Sequence, residues 1–127
     1  EYVDLYLIHW FKGYDLALET YKALEYLYKE GKVKAIGVSN FNIHHLQYIL
    51  DNCEIKPMMN QVETHIYLQN HRLHEFCKKN QIQLEAYAPL MSNHIKDLLA
   101  DEKMNEIAKK NKKAPIKSRP SYLNSKY

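Results

Sequence analysis

Glycine is scarce in this sequence, and none of its three glycines forms the G-x-G-x-x-G pattern of a dinucleotide-binding loop. Gly13, Gly31 and Gly37 stand apart from one another. The commonest nucleotide-binding sheets carry such a loop directly after their first strand, so this architecture is disfavoured. An open, doubly wound sheet of four parallel strands without the loop stays open as an alternative.

Cysteines are few and long apolar runs are absent. Cys53 and Cys77 both lie in helical patterns, which fits buried thiols in a reducing compartment better than a disulfide framework. We therefore expect a cytoplasmic protein. No run reaches the roughly 18 apolar residues of a membrane span, so we expect no membrane contact. The net charge of +3 is too small to indicate a nucleic-acid partner.

What is present is an ordinary globular composition. The chain has 127 residues, of which 46% are hydrophobic and 26% charged, enough for one domain with a real core. It opens within a residue or two of an apolar strand, without a basic leader that would indicate a signal peptide. This abrupt start predicts a piece cut from a longer chain.

Four short apolar segments rich in β-branched or aromatic residues are typical of buried strands. They cover residues Val3–Ile8, Val33–Val38, Met58–Val62 and Ile82–Tyr87. Their starts are separated by about 25–30 residues, close to the roughly 30 residues of one strand-helix unit in an eight-unit barrel. The sequence therefore predicts an α/β fold: a partial (β/α)8 TIM barrel with about four parallel strand-helix units.

Helical patterns fill the connections between these strands. The predicted helices are Leu16–Glu30, a helix starting near Asn42, Asn70–Asn80, Ile95–Leu99 and Lys103–Lys110. Gly31 is expected to end the first helix and Asn42 to cap the second. Glu25 and Lys29, spaced i,i+4, are expected on the surface of the first helix. Met104, Ile107 and Ala108 are expected to face inward on the last.

Polar residues follow or end these strands, where parallel α/β proteins bind ligands. His9 and Trp10 follow the first strand, Ser39 and Asn40 the second, and the third carries Asn60 and Gln61 near its end. Taken locally, Ser39 and Asn40 could instead only turn the chain and cap the next helix.

The sequence after residue 114 has no periodic apolar face. We interpret residues 1–114 as the partial barrel and 115–127 as an irregular basic tail, whose lysines are solvated rather than phosphate-binding. His71 and His74 are spaced i,i+3, but no third ligand follows at sensible spacing, so no metal site is predicted.

Five segments together resemble the aldo-keto reductase family, in its order and at its spacing. They are Asp4–Trp10 (DLYLIHW), Lys29–Phe41 (KEGKVKAIGVSNF), Lys56-Pro57, Asn60–Glu63 (NQVE) and Ala86–Leu90 (AYAPL). The resemblance covers about residues 1–114 and corresponds to the fourth to seventh strands of that family's barrel. It implies NADPH-dependent reduction of aldehydes or ketones to alcohols.

The resemblance also implies roles for single residues. His9 corresponds to the catalytic histidine, whose neutral imidazole donates a hydrogen bond to the substrate carbonyl oxygen. Ser39, Asn40 and Gln61 correspond to the residues that bind the nicotinamide carboxamide, and Tyr87 to the aromatic ring that stacks on the nicotinamide. Trp10 corresponds to an aromatic residue of the substrate pocket.

The family's tyrosine proton donor, its lysine and its aspartate belong to earlier strands and are absent from these residues. We therefore expect the isolated chain to be inactive or weak. The alternative is a non-catalytic truncated remnant, or a half barrel that self-associates through its exposed sheet edges. The 2′-phosphate site is also missing, so the residues do not decide between NADPH and NADH, nor do they identify the carbonyl substrate.

Overall fold

The computed structural model describes residues 1–112 and 114. The tail predicted for 115–127 lies outside the described residues. The described part contains four strands, β1 (Tyr6–Ile8), β2 (Ile36–Ser39), β3 (Met59–Glu63) and β4 (Gln83–Tyr87). It contains five α-helices, α1 (Tyr14–Lys29), α2 (Ile43–Asn52), α3 (His71–Lys79), α4 (Ile95–Ala100) and α5 (Glu102–Lys110), with a 3-10 turn at Ser92–His94.

The four strands form one parallel sheet in the order β1-β2-β3-β4. Each strand thus pairs with the strand that follows it in the chain, and a helix lies between each pair in sequence. This arrangement confirms the predicted alternation of strands and helices and places all four carboxyl ends at one edge of the sheet.

One face of the sheet packs against α1, α2 and α3. Ile36 and Val38 of β2 and Val62 of β3 are buried on this face. The helices contribute buried apolar residues at helical spacing, namely Ala17, Tyr21, Leu24, Leu46, Ile49, Leu73 and Cys77. The hydrophobic core therefore lies between the sheet and these three helices, and successive strand residues alternate between it and the opposite face.

Gly31 ends α1, as the sequence predicts. Its φ of 69° is in the left-handed region that glycine adopts without a steric penalty. The Gly31 N–H donates to the Tyr28 carbonyl and the Lys32 N–H to the Leu27 carbonyl, both at 3.0 Å. This is the bond pattern of a Schellman motif, which turns the chain out of α1 towards β2.

Glu25 is buried, which corrects the expectation that it pairs with Lys29 on the surface. Its side chain is 5% exposed, and its Oε1 accepts hydrogen bonds from the backbone N–H groups of Glu54 and Ile55, each at 2.7 Å. Lys29 instead contacts Glu54 at 2.5 Å. Glu25 therefore holds the segment after α2 against α1, a long-range role that helical spacing does not reveal.

The first strand is an edge strand of the described sheet and is only partly buried, so the expectation of a buried strand was wrong. Tyr6 is 50% exposed and pairs only with Ile36 of β2. Nearby Lys34 lies over the Tyr2 ring, with its Nζ 3.4 Å from the ring centroid. One side of β1 thus remains unpaired within the described residues.

Residues 64–69 and the described residues after Tyr87 form a second compact unit. Within it, Asp101 accepts a hydrogen bond from the Met104 N–H at 2.8 Å and caps α5, and the Tyr67 hydroxyl donates to the same carboxylate. Met104 and Ala108 are buried as predicted, but Ile107 is 44% exposed, so its predicted inward position was wrong.

Candidate functional site at the carboxyl edge of the sheet

The strand register brings the predicted site residues to one face of the sheet. Ser39 of β2 pairs with Gln61 of β3, and Gln61 pairs with Glu85 of β4. Glu63 pairs with Tyr87 two residues further along the same strands. Paired residues of neighbouring strands point to the same face. Ser39, Gln61 and Tyr87 therefore share the face opposite the helices, near the carboxyl ends.

Asn40 connects the ends of three strands. Its Nδ2 donates to the His9 carbonyl oxygen at 3.0 Å and to Ser39 Oγ at 3.1 Å, and its Oδ1 accepts from the Tyr87 hydroxyl at 3.0 Å. Its φ is 61°, a left-handed conformation in which asparagine is several-fold enriched. The alternative that Ser39 and Asn40 only turn the chain and cap the next helix therefore holds in part. Asn40 does turn the chain, but the N-cap of α2 is Asn42.

The Gln61 backbone and side chain both belong to this network. The Gln61 carbonyl accepts from Ser39 Oγ at 2.8 Å and from the Asn40 N–H at 2.9 Å. Its side-chain Nε2 donates to Glu85 Oε1 at 2.8 Å. Within the part of the chain that the structure describes, the Gln61 Oε1 atom accepts no hydrogen bond, so it is an acceptor at this edge that a ligand can use.

The His9 side chain also has no hydrogen-bond partner among residues 1–112. It is exposed, and its ring centroid lies 5.9 Å from that of Trp10, with 43° between the ring planes. Trp10 is exposed as well. Asn40 fixes only the His9 backbone, so the exposed imidazole is available to a ligand.

Asn60 faces the core and does not belong to this group of residues on the opposite face. It is fully buried; its Nδ2 donates to the Phe41 carbonyl at 2.9 Å, and its Oδ1 accepts from the Phe41 N–H at 3.4 Å. It therefore fixes the residue that directly follows Asn40. The period-two alternation of β3 separates Asn60 from Gln61, a pattern already available in the sequence.

Behind this edge lies a cluster of aromatic rings that the sequence did not predict. Phe11 stacks on His45 with ring centroids 3.6 Å apart, and Tyr14, Phe41 and His44 also contact the His45 ring. The His45 side chain is also fixed at the start of α2, where its Nδ1 accepts a hydrogen bond from the Asn42 N–H at 3.2 Å.

The His45 contacts predict acid-sensitive stability. Burial, and secondarily the neighbouring His44, lower the pKa of His45 below its ordinary value of 6.5. The unfolded chain therefore takes up this proton first as the pH falls. The stability that neutral His45 contributes is fully present above about pH 6.5 and is lost as the pH falls through the lowered pKa.

We expect urea denaturation to show a smaller free energy of unfolding at about pH 5 than at about pH 7. A His45→Gln variant should show a weaker pH dependence. His74 also has a pKa lowered by burial, so the difference between the two proteins isolates His45. Equal pH dependence in both would contradict the assignment.

The described residues carry no group of three or more His, Cys, Asp or Glu side chains placed to hold a metal ion. Cys77 is buried as predicted, and burial raises the pKa of its thiol to about 11, so it is not a ready nucleophile. The chemistry on offer at the sheet edge is instead that of amides, a hydroxyl, a phenol and an imidazole. Such groups can both donate hydrogen bonds to a polar ligand and accept them from it.

Comparison with known proteins gives one consistent result. The sequence profile of the Aldo/keto reductase family matches residues 1–126. Glyoxal reductase of Bacillus subtilis is 52% identical over 114 residues, which cover 90% of this chain and 40% of that protein. The chain thus spans about 40% of the length of this curated relative.

Solved structures agree with the sequence comparison. MGS-M4, an aldo-keto reductase from a Medee basin deep-sea metagenome library, is 73% identical with a TM-score of 0.84, over 86% of this chain and 41% of that one. A Gox0644 variant in complex with NADPH is 41% identical with a TM-score of 0.79, over 90% of this chain and 41% of that one. These similarities confirm the predicted partial (β/α)8 barrel.

No helix among the described residues is long and apolar enough to span a membrane.

Proposed function

We propose that this chain, which belongs to the aldo/keto reductase family, supplies the nicotinamide-binding and carbonyl-orienting part of an NADPH-dependent reductase of aldehydes or ketones. The observation that carries this proposal is the hydrogen-bonded group of Ser39, Asn40, Gln61 and Tyr87, in which Asn40 also holds the backbone carbonyl of His9. We call this group the rim cluster. The NADPH-bound relative supports the choice of cofactor.

The rim cluster fits a nicotinamide carboxamide by its chemistry. A carboxamide offers N–H donors and one carbonyl acceptor. Gln61 Oε1 is free to accept from the N–H groups, and the Asn40–Ser39 contact at 3.1 Å is one that a ligand carbonyl can replace. The phenol of Tyr87 is fixed by Asn40, which holds its ring in place as a surface for stacking. When bound, the cofactor supplies a hydride to the carbonyl carbon.

His9 is proposed to orient the substrate. Its exposed imidazole can donate a hydrogen bond to the carbonyl oxygen, where negative charge develops during reduction. The neutral form suffices, because orientation and polarisation need a donor rather than a full charge. Trp10 is proposed as the neighbouring wall of the substrate pocket. The glyoxal reductase relative suggests small reactive aldehydes as the substrates to try first.

The isolated chain is expected to bind NADPH but to reduce carbonyl substrates slowly or not at all. The family resemblance places the proton-donating tyrosine and its lysine and aspartate on strands before the one that corresponds to β1. Loss of a general acid lowers the rate by about 10²–10⁴. The chain also covers only about 40% of the glyoxal reductase relative, so further walls of the cofactor cleft belong to strands not present here.

A titration tests the proposal. Purified chain is titrated with NADPH while the nicotinamide fluorescence is followed, and glyoxal is then added while the absorbance of the reduced cofactor is recorded. We expect binding with slow turnover or none. An Asn40→Gly variant keeps the left-handed backbone, removes the amide and should weaken binding about tenfold. Asn52→Ala, on the exposed end of α2, is the matched control. No binding by the unaltered chain would refute the proposal and favour a non-catalytic remnant.

The exposed edge of β1 favours one further property of the isolated chain. Tyr2, Val3 and Tyr6 are all at least half exposed along this edge, and unpaired strand edges promote association. We propose that the isolated chain pairs with a second copy through its sheet edges. Size-exclusion chromatography with light scattering measures the mass directly, and a clean monomer would refute this property without affecting the cofactor proposal.

A further inference from the structure

Within the described part of the chain, the acidic side chain of Glu85 contacts the rim cluster. It lies on β4 directly opposite Gln61 on β3, on the same face of the sheet. Its Oε1 accepts the hydrogen bond from Gln61 Nε2 at 2.8 Å. Neither the sequence pattern nor the family resemblance assigned Glu85 a role.

The Glu85 carboxylate determines which way the side-chain amide of Gln61 is oriented. The amide of Gln61 has a donating NH2 end and an accepting oxygen end, and rotation about the last bond exchanges them. An ionised carboxylate only accepts hydrogen bonds. Glu85 therefore requires the NH2 end of Gln61 to face it, and the oxygen end must face away.

The orientation of the Gln61 amide affects ligand binding because most other polar groups of the rim cluster already hydrogen-bond to one another. Both N–H groups of the Asn40 amide are engaged, one with the His9 carbonyl and one with Ser39, and the Asn40 oxygen accepts from Tyr87. The Ser39 hydroxyl donates to the Gln61 carbonyl. In the described residues, two side-chain oxygens of this cluster accept no hydrogen bond, Gln61 Oε1 and the Tyr87 hydroxyl, which donates to Asn40. Gln61 Oε1 carries no hydrogen of its own, so a ligand that reaches it must bring a donor.

We infer that Glu85 is a positioning residue that fixes the Gln61 amide as an acceptor and so selects a carboxamide over a carboxylate at the rim cluster. The inference rests on the proposed function, because it concerns the same nicotinamide site. A carboxamide donates N–H groups to Gln61 Oε1. A carboxylate at the same place presents only acceptors, so acceptor faces acceptor, and such a ligand is disfavoured.

The preference for a carboxamide over a carboxylate can be measured with two nucleotides that differ only in this group. NADP⁺ carries the carboxamide, and nicotinic acid adenine dinucleotide phosphate carries a carboxylate instead. Isothermal titration of the full chain should show tighter binding of NADP⁺ by about tenfold, the size of one hydrogen bond gained or lost. The Glu85→Gln variant can pair with either end of Gln61, so its preference should fall to within about threefold.

Glu63→Gln is the matched control. Glu63 lies on the same face of β3, two residues beyond Gln61, and the variant removes the same charge without touching the Gln61–Glu85 pair. It should keep the tenfold preference. If Glu63→Gln reduces the preference as much as Glu85→Gln does, the selection comes from net charge alone and the inference is overturned. An unchanged preference in Glu85→Gln overturns it as well.

A second measurement separates this inference from the proposed function. Hydrogen exchange of the Gln61 side-chain NH2, followed by NMR without nucleotide, should be slow in the unaltered chain and faster by about tenfold or more in Glu85→Leu. If neither nucleotide binds but this protection is present and is lost in the variant, the proposed function fails while the positioning by Glu85 stands. If exchange is equally fast in both proteins, Glu85 does not hold Gln61.

Discussion

Replacing Gly37 with alanine is expected to lower the free energy of unfolding by about 3 kcal/mol, the upper end of the usual range for an overpacked core position. A Cβ at this position would lie 2.4 Å from the Met59 carbonyl oxygen and 3.1 Å from the Met59 nitrogen. Both atoms belong to the backbone of β3, so no side-chain rotation relieves the clash. The Leu7 side chain, at 2.9 Å, closes the other side.

The Gly37→Ala substitution is also expected to disturb the rim cluster, because the clash would act close to it. Gly37 pairs with Met59, two residues before the Ser39–Gln61 pair of the rim cluster. Separating β2 from β3 there would also loosen the Ser39 bond to the Gln61 carbonyl. We therefore expect weaker NADPH binding in whatever fraction of the variant remains folded.

Gly31→Ala provides the control for Gly37. A Cβ at Gly31 meets nothing within 4 Å, so only the left-handed backbone is penalised, by about 1–2 kcal/mol. Urea denaturation followed by circular dichroism compares the two variants. If Gly31→Ala unfolds cooperatively and Gly37→Ala shows no cooperative transition, that result also agrees with the prediction. Equal stability of the two variants would contradict the close approach of β2 and β3.

Replacing Asn60 with leucine is expected to destabilise the chain by about 3 kcal/mol. Leucine has a similar volume but no polar atoms, so the Phe41 N–H and carbonyl both lose their Asn60 partner. Asn60 and Phe41 are both fully buried. Water therefore does not replace either bond, and each backbone group bears the desolvation penalty of a buried polar group.

The Asn60 variant should also affect the site on the opposite face of the sheet. Phe41 follows Asn40 directly, so a loose Phe41 removes one support of the Asn40 turn. We expect both lower stability in urea and weaker NADPH binding. Asn52→Leu, on the exposed end of α2, should change the free energy of unfolding by no more than about 0.5 kcal/mol. Equal effects of the two substitutions would show that Asn60 does not hold this turn.

The order and type of the elements were predictable because they depend on local patterns. Strands recur at a nearly constant interval, and each helix boundary has a local cause, such as Gly31 after α1 and Asn42 before α2. The candidate site residues were predictable in part because they follow or end parallel strands. Their roles towards cofactor and substrate remain predictions from the family resemblance.

The errors have a shared physical origin. Glu25 was placed on a helix surface because helical spacing describes only its own helix. Its partner, the backbone of residues 54–55, lies outside that helix. Tyr6 was expected to be buried because an apolar strand looks the same in the centre of a sheet and at its edge. In both cases the burial depends on whether an element distant in sequence lies beside the residue.

The sequence by itself determined a repeated strand-helix chain with polar residues at the strand ends, since these follow from short-range periodicity and residue chemistry. Only the tertiary structure decided which of those residues act together. The β2–β3 and β3–β4 registers set Ser39, Gln61 and Glu85 side by side and send Asn60 to the core. A register is a property of two paired strands, and no single segment contains it.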